Sequence, residues 1–134
     1  MEYKTGSSTK HRVLVHLVWC PKYRRRILRG KIARRINELF TQCCEMNDWE
    51  IHELGIQHDH IHMLIQINPR ESIAKVVNLI KGGSSRVIRQ EFLELEEFLW
   101  GDSLWCDGYF VETIGSKNES VIKKYIRSHN KSST

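Results

Sequence analysis

The chain has 134 residues, 40% of them apolar, which is the size of one domain with one core and too little for two independent ones. No run approaches the ~18 apolar residues of a membrane span, and the polar opening MEYKTGSSTKHR lacks the apolar stretch of a signal peptide, so a cytoplasmic chain with no membrane partner is expected. Lys and Arg total 21 against 16 Asp and Glu, a net charge of +5 that permits a polyanionic partner without requiring one.

Residues 12–20, RVLVHLVWC, are apolar and β-branched and are closed by Pro21, the pattern of a central strand. Val13, Val15, Leu17 and Trp19 fall on one face, and Arg12, Leu14, His16 and Val18 on the other. A basic run, PKYRRRILRGKIARR, leads into a helix marked by Ile32, Ile36, Leu39, Phe40 and Cys43 at amphipathic spacing and ending near Asn47. WEIHELGI and HIHMLIQI read as two strands joined through QHD into a hairpin. A second helix follows INPRES, with Ile73, Val76, Val77, Ile80, Val87 and Ile88 on its buried stripe. Gly82 and Gly83 interrupt it, each costing about 1 kcal/mol relative to Ala, which predicts a kink or the close approach of another backbone.

Glu91 to Asp107 is acidic and aromatic without a clean period, and reads as a helix extension followed by a loop carrying Trp100 and Trp105. GYFVETI supplies a fourth strand and ESVIKKYIRSHN a last helix. Cys20, Cys43, Cys44 and Cys106 form no CxxC pair, so reduced thiols are expected, with Cys43 in the core.

This order predicts a single α+β domain, residues 1–134: a ferredoxin-like or RRM-like antiparallel sheet, βαββαβ, with an additional C-terminal helix. The first and third strands should lie side by side in the middle. Two helices should cover one face and leave the other open to a ligand.

Alternation puts His60, His62, Leu64 and Gln66 on one face of the third strand and the apolar Ile61, Met63, Ile65 and Ile67 on the other. The apolar set must face the helices, so the histidines point to the open face, with His16 a candidate for the same side. Two imidazoles at i and i+2 can aim at one ion, and Asp59 could support them. On the last helix Tyr125 and His129 are one turn apart, with Lys123, Lys124 and Arg127 nearby. Tyrosine can attack phosphorus where positive charge or a metal-polarised substrate offsets its hydroxyl pKa near ~10. From spacing alone two readings stand together. The histidines could be a solvated strand face and Tyr125 part of a packed stripe with Val121, Ile122 and Ile126; or the group could be a metal site with its nucleophile.

The blocks HLVWCPKYRRRIL, GIQHDHIHMLIQI, LIKGGSSRVIRQEF, LWCDGYFVETIG and VIKKYIRSHN resemble, in order, those of the TnpA-type single-tyrosine HUH transposases of small bacterial and archaeal insertion sequences. The resemblance spans nearly the whole chain. It implies that His60 and His62 bind Mg²⁺ or Mn²⁺ and that Tyr125 is the nucleophile. Where the family usually places a Gln ligand, four residues beyond the tyrosine, this chain has His129. The implied substrate is single-stranded DNA with hairpin ends, cut and transferred through a 5′-phosphotyrosine intermediate. The implied assembly is a homodimer whose active sites are completed in trans. Lys22, Tyr23, Arg24, Arg25, Lys81, Gly82 and Arg86 would follow the DNA backbone, with Tyr23 or Trp105 stacking on a base. The competing readings are a relative acting on repetitive palindromes, a non-catalytic nucleic-acid-binding module and a water-using phosphoesterase.

Overall fold

The β-branched run after Arg12 forms β1 (Val13–Trp19), which pairs on both edges and so lies in the interior of the sheet. A computed structural model describes residues 12–132, and the polar opening of residues 1–11 lies outside them. β2 (Glu50–Gln57) and β3 (His60–Ile67) form the expected hairpin, and β4 (Phe110–Thr113) is the far edge. The order β2-β3-β1-β4, antiparallel throughout, places the first and third strands side by side.

Helices α1 (Gly30–Met46) and α2 (Ile73–Glu91) cover one face, where Val15, Leu17, Trp19, Ile61, Met63 and Ile65 meet Ile36, Phe40, Val77, Ile80 and Ile88. The strand residues are the alternate apolar set read from the sequence, because a pleated strand sends successive side chains to opposite faces. Ser72 caps α2, its hydroxyl accepting from the Lys75 N–H.

The structure departs from three expectations. First, α2 runs unbroken through Gly82 and Gly83, and a Cβ at either would meet no neighbour. The inward positions belong instead to Ser84 and Ser85. The Ser84 hydroxyl donates to the Ile80 carbonyl and accepts from the Trp105 indole N–H at 3.0 Å, while Ser85 accepts from the Leu104 N–H at 2.9 Å. Second, Trp105 is buried against Trp19 and Phe40, with ring centroids 5.9 and 6.3 Å away, so it is core and cannot stack on a base. Between α2 and that tryptophan lie a 3-10 turn (Leu93–Leu95) and the short α3 (Glu96–Leu99), ended by Trp100 and Gly101 in left-handed backbone. Third, Cys44 rather than Cys43 is fully buried, and burial pushes its thiol up to about 12.

Trp105→Ala is expected to destabilise the fold by about 3–5 kcal/mol, since it empties an aromatic-sized volume and removes the donor to the Ser84 hydroxyl. Chemical denaturation checks this; a loss under ~1 kcal/mol would contradict the core assignment.

The last helix, α4 (Glu119–Ser132), crosses the opposite face, so that face is half covered and not wholly open. Ile126 is fully buried there with Leu14, Leu64 and Ile114, a small second core packed by Ile122. Among the described residues no helix is long and apolar enough to cross a membrane.

Candidate active site

β3 presents His60 and His62 beside the edge of that second core. His62 is buried and His60 partly so, with ring centroids 4.7 Å apart. Each has its Nδ1 engaged. Asp59 Oδ1 lies 2.8 Å from the Nδ1 of His60, and the Nε2 of His16 lies 3.2 Å from the Nδ1 of His62. The bond to His60 holds the Asp59 carboxyl below its usual range, and Arg24 donates to its other oxygen at 3.2 Å. Burial, reinforced by His60, His16 and His129, depresses His62 to about 4, so its ring is neutral at neutral pH, as a ligand must be.

Docking of α4 depends on Gly55, which pairs with His62 across the β2–β3 ladder. A Cβ there would stand 2.8 Å from Ile126 Cγ2 and 3.1 Å from Asn130 Oδ1, so only glycine lets the helix settle this close. Asn130 Nδ2 donates to the Leu54 carbonyl at 3.1 Å, and Arg127 pairs with Glu53 at 3.0 Å. With Ile126 turned inward, the preceding Tyr125 leans over the histidines, its ring edge-on to His62 at 5.4 Å and to His16 at 6.5 Å. Tyr125 is 44% exposed, so it does not belong to the packed stripe. His129 lies against it at 4.2 Å and donates from Nδ1 to the Tyr125 carbonyl, 5.7 Å from the His62 ring.

His60, His62, Tyr125, Arg24 and the loop Cys106–Phe110 line an open cleft of about 440 Å³. Nδ1 bonds that leave Nε2 toward a cleft are what a divalent-cation ligand pair needs, so His60 and His62 fit one. Among the described residues no three His, Cys, Asp or Glu side chains stand ready to hold a metal ion, and His129 does not complete the set in this arrangement. The third position would fall to a turned His129 ring or to oxygens of the substrate.

The basic residues singled out in the sequence are engaged in several different contacts. Arg24 lines the cleft, and Tyr23 is exposed beside it, both in left-handed backbone. Lys22 pairs with Asp102 at 3.4 Å, and the Arg25 guanidinium sits 4.4 Å over the Phe98 ring. Lys81 spends its ammonium on the carbonyls of Cys106 and Gly108 at 2.8 and 2.9 Å, bracing the cleft loop; burial pulls its pKa down. Gly82 and Arg86 border a separate depression with Arg89 and Gln90. Sequence reasoning missed Gly55, because it carries no local signal: it matters through Ile126 and Asn130 of a helix distant in the chain.

The chain matches the family model described as "Transposase IS200 like" over residues 9–129. It is 32% identical over 128 residues to the ISDra2 transposase TnpA of Deinococcus radiodurans, covering 96% of this chain and 91% of that one. It is 34% identical over 124 residues to the transposase for insertion sequence element IS200 of Salmonella typhimurium, covering 92% and 81%. A crystal structure of a Deinococcus radiodurans R1 protein assigned as a transposase superposes with a TM-score of 0.72 at 28% identity, over 88% of this chain and 91% of that one. A REP-associated tyrosine transposase bound to a REP hairpin gives a TM-score of 0.65 at 12% identity, over 87% and 64%, a likeness of fold alone. A sheet bearing a histidine pair under a tyrosine helix, and a sequence match that runs through β1 to α4, place this enzyme in the family of IS200-like transposases.

Proposed function

We propose that this transposase cuts and rejoins single-stranded DNA at hairpin-bearing element ends, with Tyr125 as nucleophile and a divalent cation, Mg²⁺ or Mn²⁺, held by His60 and His62. The observation that carries the reading is that the tyrosine and the histidine pair share one cleft, with the Tyr125 ring 5.4 Å from that of His62. The bound cation would supply charge stabilisation at the phosphoryl oxygens. The Tyr125 oxygen attacks phosphorus and forms the O–P bond; the P–O3′ bond breaks, and the leaving strand carries off a 3′-OH after taking up a proton. The phosphodiester energy is kept in the 5′-phosphotyrosine link, so attack by another 3′-OH rejoins the strand without a nucleotide cofactor. Arg24, exposed at the cleft mouth, suits a phosphate of the incoming strand.

A homodimer in which α4 is exchanged would reuse the same contacts, since Gly55, Leu54 and Glu53 can receive Ile126, Asn130 and Arg127 from a partner's helix as well as from their own. The test of the reading is incubation with end-labelled single-stranded hairpin DNA, with Mg²⁺, Mn²⁺ or a chelator. A covalent protein–DNA adduct on a denaturing gel is expected with either metal and none with the chelator. Cleavage without adduct would move the assignment to a water-using phosphoesterase, and binding without cleavage to a nucleic-acid-binding module.

A further inference from the structure

Behind His62, the face that α4 crosses carries two further polar residues, His16 and Glu112, that the reaction above does not use. His16 and Glu112 are register partners across β1 and β4, and His62, paired with Val18, is the diagonal neighbour of His16 on β3. Three strands thus line up Glu112, His16 and His62. Glu112 Oε1 lies 3.3 Å from the Nδ1 of His16, whose Nε2 lies 3.2 Å from the Nδ1 of His62. The two imidazoles stack with planes 12° apart, edged by Phe110 and Tyr125.

We propose that Glu112 and His16 are positioning residues that fix His62 with its proton on Nδ1 and its Nε2 lone pair toward the cleft. An ionised carboxylate only accepts, so Glu112 calls for a proton on the Nδ1 of His16. A neutral imidazole protonated at Nδ1 has only a lone pair at Nε2, so His16 must accept from His62. His62 then donates from Nδ1, and its remaining lone pair is at Nε2. Burial of His16 and His62, at 4% and 5% exposure, keeps water from the two nitrogens they share. Remove the carboxylate, and His16 can carry its proton on Nε2 and donate to His62. That would drive the His62 proton onto Nε2, where it blocks coordination. The order is set at the sheet edge and delivered two strands away.

This inference rests on reading His62 as a metal ligand, and its test separates the two. In metal-free, ¹⁵N-histidine-labelled protein near neutral pH, long-range ¹H–¹⁵N spectra should show His16 and His62 both protonated at Nδ1. Glu112→Gln, whose amide can donate as well as accept, should give His62 substantial Nε2–H character and weaken Mn²⁺ binding by about 10–100-fold, the usual effect of losing a residue that orients a ligand. Circular dichroism should show the fold intact, since Glu112 is half exposed on the edge strand. A His62 proton on Nε2 in the wild type, or unchanged tautomers in Glu112→Gln, overturns the relay. Wild-type protein that binds no Mn²⁺ counts against the metal reading alone, and the spectra still decide the relay.

Discussion

Tyr125→Phe should abolish the covalent DNA adduct and lower strand cleavage at least ~10³-fold, as expected when the attacking group itself is removed. The change deletes one oxygen and keeps the ring, so the edge contacts with His16 and His62 and the packing on His129 survive. Because the side chain is 44% exposed and Ile126 does the burying, stability should change by less than ~0.5 kcal/mol. Hairpin binding should be retained. The readouts are adduct on a denaturing gel, mobility shift and thermal unfolding. Persistent adduct would remove Tyr125 from its role, and lost binding would mean the ring holds DNA. Mixing Tyr125→Phe with His62→Ala protein extends the test: recovered activity is expected if α4 is exchanged between subunits, because one site of the mixed dimer then has both intact groups.

Gly55→Val should also cost activity, by a smaller factor, while leaving the histidines in place. The added Cβ would lie 2.8 Å from Ile126 Cγ2, and the two methyls of valine crowd the same spot. Ile126 is fully buried against Leu14, Leu64 and Ile114 and cannot swing aside, so α4 must lift. Its ion pairs to the sheet side, Arg127–Glu53 and Arg12–Glu119, are at least partly exposed and worth ~0–1 kcal/mol each. Burial of Ile126 is worth about 1.5–3 kcal/mol and is the larger tie. Overpacking should destabilise by about 1–3 kcal/mol. A nucleophile displaced by about 1 Å should lose about 10²-fold in adduct formation. Mn²⁺ affinity should hold, since His60 and His62 stand on β3. Ile126→Ala in the same chain should restore part of the rate by vacating the contested volume. Full activity in Gly55→Val alone would show that α4 docks without this contact.

The sequence by itself determined the hydrophobic alternation of β1 and β3, and with it which face His60 and His62 occupy, because side-chain direction on a strand has a period of two and is a local property. It likewise determined that Tyr125 and His129 are neighbours, since one helical turn separates them. It did not reveal that Glu91–Asp107 buries Trp105, because that segment has no period and its seat is made by Ser84 and Ser85 on another element. The glycine pair in α2 was an inverse case: a strong local signal that packing left without consequence. Only the tertiary structure decided that α4 crosses the face expected to be open, that Gly55 admits Ile126 and thereby aims Tyr125, and that Glu112 stands opposite His16. The last is a pairing across 96 positions of chain separation, and the others are a helix docking on a sheet. Such contacts are fixed by which surfaces meet, and no local run of residues encodes its partner.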